Sequence, residues 1–312
     1  MTLTNIRFPE DNPFARIKLR HIFGWLLLCS IAIGFQLAII SSIWGIRLDN
    51  TEPFVNALLG AYVLILSLSL FWRECRLAGI EIKYLIGKVP ERYQWLPFVG
   101  LAIASVVFSI GVFRIFYYPL SFIVPSFVER ILTENRNSRI LIAASKSFSP
   151  ALYYLKFALN QLIDPVFTAF FLISIPLHRW AAKWGNITAI IAICLLLGTL
   201  AYQNFTTIII GLLISAILYV KTRSLLVVII FRILRNISFT IWNLSETIFF
   251  NTQTANILDT FRSQVQLGVL FFALSAPWVI GFIYKNWSVL KGPLPYFANA
   301  AEAEKIKADS ET

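Results

Sequence analysis

The chain of 312 residues is 58% hydrophobic and 15% aromatic, with only 14% charged residues and a mean hydropathy of +0.72. A water-soluble domain of this length does not carry so much apolar surface, so the composition excludes one and predicts an all-α, polytopic integral membrane bundle. The net charge of +11, from 27 Lys and Arg against 16 Asp and Glu, is spread through the connections between apolar runs and needs no nucleic-acid partner.

A helix that crosses the hydrocarbon core needs about 20 mostly apolar residues. Such runs fall near 22–44, 55–72, 96–119, 150–177, 187–202, 205–220, 224–243 and 265–284, about eight in all. A polar strip, 1–20, precedes them. The first run is too long for a signal-peptide core and no small-residue cleavage pattern follows it, so it is expected to remain as a helix. The division expected is 21–149 for the first helices, 150–245 for a core, 246–284 for an outer loop with the last span, and 285–312 for a tail.

In chain order, the connection 73–95 alternates Leu77, Ile80, Ile82, Leu85 and Ile86 with Arg76, Lys83 and Lys88. That pattern predicts an amphipathic helix lying in the headgroup region, or else an ordinary polar connection. The third span carries Arg114 beside Phe113 and Phe116, as a polar partner or as an interfacial residue. A loop is expected from Phe127 to Phe148. In the fourth span Lys156, Asn160, Asp164 and Thr168 recur every four residues and share one helical face. The seventh span carries Arg232, Arg235 and Asn236. After Trp287 the tail sets Ala298, Ala300, Ala301 and Ala303 among Glu302, Glu304, Lys305 and Lys307, which predicts a short solvated helix or a disordered end.

Basic residues collect on the cytoplasmic side of membrane proteins because loops rich in Lys and Arg resist translocation. With the amino terminus inside, the inner connections hold 17 Lys and Arg and the outer ones six: Arg47, Arg130, Arg136, Arg139, Lys146 and Arg262. An even number of spans then puts both termini in the cytoplasm. Cys29, Cys75 and Cys194 are odd in number and far apart, which is neither a disulfide framework nor a metal spacing. The sequons at Asn186 and Asn236 fall at or inside spans and read as chance matches.

Between Pro165 and Asn236, about a quarter of the chain, the spacing of Gly211, Ser215, Tyr219, Lys221-Thr222 and Ser224-Leu225 resembles that of the CPBP family of intramembrane endopeptidases, the CAAX prenyl proteases and bacteriocin-processing enzymes. These residues match the family's small-residue helix and its Tyr-x-Arg/Lys-Thr-Gly-Ser-Leu turn. In that register the first motif, a Glu-Glu pair with Arg four positions later, falls on Thr168, Ala169 and Ile173. The second, Phe-x-x-x-His, falls on Leu197 and Ala201, and the third, His-x-x-x-Asn, on Arg232 and Asn236. The resemblance therefore implies a degenerate member in which one polar site residue, Asn236, survives.

A carboxylate or a metal-bound hydroxide activates water, whereas threonine, alanine and isoleucine do neither at neutral pH. His21 and His178 are expected at interfaces on different helices, and no HExxH or comparable metal cluster occurs. No catalytic residue, cofactor or metal is therefore expected. The polar cluster Lys156, Asn160, Asp164, Arg232 and Asn236 is read as an Asp164–Arg232 ion pair filling the former catalytic cavity. The alternatives are snorkelling to an interface, with Asp164 capping a backbone defect at Pro165, or a ligand path.

The function expected is a pseudoprotease that binds membrane lipids and other integral membrane proteins as an assembly scaffold. An active endopeptidase with rearranged residues is the first alternative and a small-molecule or ion carrier the second. The location expected is the plasma (inner) membrane or a thylakoid membrane.

Overall fold

The computed structural model describes residues 12–17, 53–143, 161–163, 165–200, 205–249 and 257–311, with scattered positions between 24 and 42. The described residues form helices joined by short turns, with no strand among them. In chain order these are α1 (Pro13–Arg16), α2 (Pro53–Leu77), α3 (Ile82–Ile86), α4 (Trp95–Ile123) and α5 (Pro125–Ala143). A π-helical segment, Thr168–Ser174, then runs into α6 (Ile175–Trp184). After it come α7 (Asn186–Leu200), α8 (Phe205–Thr222), α9 (Leu225–Phe249), α10 (Ile257–Ser263), α11 (Val265–Asn286), a 3-10 turn (Trp287–Lys291) and α12 (Pro295–Glu311).

Five stretches are long and apolar enough to cross a membrane: Trp95–Ile123, Gln161–Trp184, Phe205–Thr222, Leu225–Asn243 and Val265–Lys291. They overlap the third, fourth, sixth, seventh and eighth runs expected from sequence, the fourth only from Gln161 onward because 150–160 lie outside the described residues. Helix α7 is apolar but has 15 residues, short of the usual crossing length. Helix α2 covers the second run, while most of the first lies outside the described residues.

Two connections differ from expectation, and the tail takes the helical form of the two expected for it. The stretch 127–148 is not simply a loop, because α5 occupies most of it. Pro125 starts α5 at a position that needs no N–H, and Val128 and Ile131, three apart on one face, bury against Tyr117 and Phe261. The connection 73–95 is not a continuous amphipathic helix. Gly79 turns at φ +75° after α2, and α3 closes after five residues at Gly87, φ +64°. Both values are left-handed and end a helix readily only at glycine. The tail forms α12, whose first residues Tyr296, Phe297 and Ala298 are buried while most of its later turns are exposed.

In lipid, apolar side chains gain little by leaving the bilayer for each other, so close backbone contact must hold helices together. The α4–α11 crossing is built that way. A Cβ on Gly111 would stand 2.7 Å from the Phe272 nitrogen, and one on Gly268 would stand 2.5 Å from Arg114 Cβ. The buried Arg114 donates from Nη1 to Gln264 Oε1 at 2.7 Å and to the Gln264 carbonyl at 3.2 Å. It thus ties α4 to the start of α11, a contact outside the polar stripe of the fourth span. Buried hydroxyls bond within their own helices, as Ser105 does to the Ala102 carbonyl and Ser109 to the Ser105 carbonyl, both at 2.7 Å.

Segments that basic-residue counting assigns to one side of the membrane meet at one end of the bundle. Tyr219 Oη donates to the Leu85 carbonyl at 3.0 Å, and Asn299 Nδ2 to the carbonyls of Tyr84 at 2.8 Å and Arg223 at 2.9 Å. The far end is closed by α5 and α10. There Arg262 bonds Ser121 through Nε to Oγ at 3.1 Å and through Nη2 to its carbonyl, while its guanidinium lies 4.3 Å from the Phe122 ring centroid. A cation on the last turn of α4 also faces the negative end of that helix.

The crossing yields a paired test. Gly268→Ala should lower stability by about 1–3 kcal/mol through overpacking. Gly281→Ala, where no atom lies within 4 Å of the new Cβ, should change it by less than about 0.5 kcal/mol. Thermal unfolding of both variants in detergent or nanodiscs checks the contrast.

Candidate functional site

The π-helical segment stands where the first motif register falls. Its Ile175 N–H bonds the Phe170 carbonyl five residues back, the widened spacing of a π-turn, which recurs at functional sites. Thr168, Ala169 and Ile173 are all buried in it, at 2%, 0% and 1% exposure. Phe71 of α2 packs edge-on against Phe170 and Phe171 at 5.1 and 5.2 Å between ring centroids, so this face is lined by aromatic rings.

One described hydrogen bond sets how this helix lies against α9: Gln161 Nε2 donates to Thr240 Oγ1 at 3.3 Å. The π-segment packs directly on α9. Arg232 and Asn236 are half-buried there, and the Asn236 carbonyl accepts from Thr240 Oγ1 at 3.0 Å. Leu197 is half-buried against the core. Lys156, Asn160, Asp164 and Ala201 lie outside the described residues, and with them the expected Asp164–Arg232 pair.

Two buried polar residues were not singled out for these roles by the sequence pattern. Arg235, noted only as a neighbour of Arg232, is the more deeply buried of the two at 7% exposure. Its Nη2 donates to the Thr207 carbonyl at 2.6 Å and approaches Ser109 Oγ at 3.5 Å. The space is cut by Gly211, where a Cβ would lie 2.8 Å from the guanidinium carbon. The available signal was Gly211 itself, one turn after Thr207 on the facing helix. A charge at this depth is costly in lipid, and Nη2 meets that cost in part on internal acceptors.

The second is His178, expected at an interface and found fully buried. Its Nδ1 lies 2.7 Å from the Ser174 carbonyl, and its Nε2 lies 3.1 Å from the Tyr296 backbone nitrogen. The Tyr296 N–H can only donate, so Nε2 accepts and the ring is neutral with its proton on Nδ1. Phe14 stacks on the ring at 4.6 Å, Tyr219 meets it edge-on at 5.8 Å, and Asn12 Nδ2 donates to the His178 carbonyl at 3.2 Å. With both nitrogens engaged, the histidine joins α1, α6 and α12 and offers no lone pair to a metal or a substrate proton.

Among the described residues no three or more His, Cys, Asp or Glu side chains gather into a metal-sized group. What the region provides is a buried, largely apolar surface on the π-segment, packed against α9.

His178→Leu removes the acceptor for a buried N–H and should cost about 1–3 kcal/mol. Hydrogen exchange should rise across α12 and change little across α4 and α11. A uniform rise, or none, would contradict the junction described. Comparison of the chain with models of protein families, with curated proteins and with solved structures gave no match in any of the three.

Proposed function

We propose that the protein is a membrane-embedded binding or assembly scaffold, built on a frame like that of the CPBP endopeptidases and without their hydrolytic chemistry. In this reading eight spans leave both termini in the cytoplasm, on the side where α12, α3 and the Arg223 turn meet. The groove that admits a helical or lipidated substrate in such an enzyme serves here to hold transmembrane segments of other proteins. A site that has no group to activate water can stabilise a partner only by differential binding.

One observation carries the reading. The first-motif register positions Thr168, Ala169 and Ile173 are buried on the π-segment, which packs on α9, the helix that carries Arg232 and Asn236. That neighbourhood supports the reading, and threonine, alanine and isoleucine cannot polarise water. The turn after α8 gives independent support. Arg223 occupies the position where the family turn has glycine, and its φ is +53°, a conformation that costs a non-glycine residue about 1–3 kcal/mol. Asp164 belongs to the same proposal as the carboxylate partner of Arg232.

The deciding experiment is crosslinking in intact membranes followed by mass spectrometry and affinity purification. The scaffold reading expects a membrane-protein partner that co-purifies in fixed ratio without new termini. It is overturned if purified protein cuts a peptide bond at a rate lost with chelator or with Asn236→Ala. The pair is tested separately: Asp164→Arg or Arg232→Asp alone should destabilise by about 3–5 kcal/mol, and the double swap should recover most of that loss. Arg223→Gly should raise stability by about 1 kcal/mol, measured by thermal unfolding.

A further inference from the structure

Helix α12 begins against a titratable ring. The first N–H groups of a helix have no acceptor within it, and Tyr296, the second residue of α12, donates its N–H to His178 Nε2 at 3.1 Å. At the other side of the ring Nδ1 lies 2.7 Å from the Ser174 carbonyl, which only accepts. The imidazole therefore uses its one proton on α6 and its one lone pair on α12.

A second proton has no place in this arrangement. On Nε2 it would meet the Tyr296 N–H, donor against donor, and its positive charge would stand at the start of α12, the end of a helix that repels cations. The surroundings offer nothing in compensation. The ring is fully buried, and it is faced by Phe14 from α1, Tyr219 from α8, and Tyr296 and Phe297 from α12. Of these only the two phenols titrate, and neither is an anion near neutral pH. Tyr219 Oη donates to the Leu85 carbonyl at 3.0 Å, and Tyr296 Oη accepts from the Glu81 N–H at 3.3 Å. Among the described residues no charged side chain of α1, α6, α8 or α12 acts on the ring. The acids at this end, Glu81 and Glu302, lie at the surface against Lys83 and Arg223.

We infer that His178 is a proton-operated latch: the neutral ring fastens α12 to α6, and a proton on Nε2 breaks the bond to Tyr296 and lets the start of α12 part from the bundle. The fastened state excludes that proton. Once α12 parts and water reaches the ring, a free imidazole takes it up near pH 6.5. Fastening is thus fully present above that pH and weakens below it, the parted population growing about tenfold for each further unit of acid. Parting also releases the carbonyls of Tyr84 and Arg223, which Asn299 of α12 holds at 2.8 and 2.9 Å. The inference goes beyond the scaffold reading and does not need it, because none of the motif-register positions takes part.

The full chain in nanodiscs is followed by hydrogen exchange from about pH 7.5 to about pH 4.5, read as protection factors so that the intrinsic pH dependence of exchange cancels. Amides at the start of α12 should lose protection about 100-fold over that range, while those of α4 and α11 keep theirs. His178→Gln supplies an acceptor for Tyr296 and does not titrate, so its protection should stay level with pH. Glu81 and Glu302 titrate in the same range in both proteins. An equal loss in the variant therefore assigns the effect to them and overturns the latch, as does level protection in the wild type.

A second measurement decides the case in which His178→Gln does not dock. The chain has two histidines, so His21→Gln leaves His178 as the one imidazole, and its nitrogen chemical shifts report tautomer and charge. A neutral ring protonated on Nδ1 is expected for as long as α12 stays protected. A ring that carries its proton on Nε2 at about pH 7.5, or that becomes charged while the start of α12 remains protected, overturns the latch.

Discussion

The structure depends on how backbones approach where no hydrophobic force drives them together. Lipid tails solvate leucine as well as another leucine does, so a bundle in a bilayer is held by close packing and by polar groups that find partners inside it. At the α4–α11 crossing, Gly111 and Gly268 remove the side chains that would keep the helices apart, and Arg114 ties the pair to Gln264 at its edge. Helices α8, α9 and α5 all pack on α4, so this crossing sets the positions of the elements around it. The same device recurs at Gly211, where a missing Cβ makes room for the guanidinium of Arg235.

The end of the bundle that carries α12 is held differently. There the contacts are polar, directional and distant in sequence: Asn12 reaches His178 across 166 positions, and Tyr296 reaches the same residue across 118. A neutral imidazole suits this junction because it donates on one nitrogen and accepts on the other in a space closed by Phe14, Tyr219, Tyr296 and Phe297. Lysine or arginine would bring a charge needing compensation, and an aliphatic residue would orphan an amide. The described terminal segments are thereby fastened to the bundle, which limits any opening on this side to a concerted movement of α1, α6 and α12.

The two regions differ in build. The π-segment, buried and largely apolar, packs on α9, which carries Arg232 and Asn236. Near the α12 end a small cavity lies between the Gly185 turn and the 3-10 turn, beside the exposed Trp184.

The solvent and the crossing segments were legible in the sequence, because partition into lipid depends on summed side-chain transfer over about 20 residues and not on what those residues touch. The runs at 96–119, 205–220, 224–243 and 265–284 became helices with ends shifted by a few residues, as the clear cases of α4 and α8 show. The polar roles were not legible. Arg232 and Arg235 differ by three positions in one helix, yet rotation of α9 against α8 and α4 buries the second on Thr207 and Ser109. His178 gave no sign of joining α1 to α12, and nothing around Asn186 announced that its amide would be fixed by Leu290 and Gly292. Helix α5 was hidden because its apolar stripe is short and needs Tyr117 and Phe261 to cover it. Composition and period determine that a segment is helical and where it dissolves. Which of its faces meets which neighbour depends on crossing angle, rotation and backbone distance, and only the packed tertiary structure decides those.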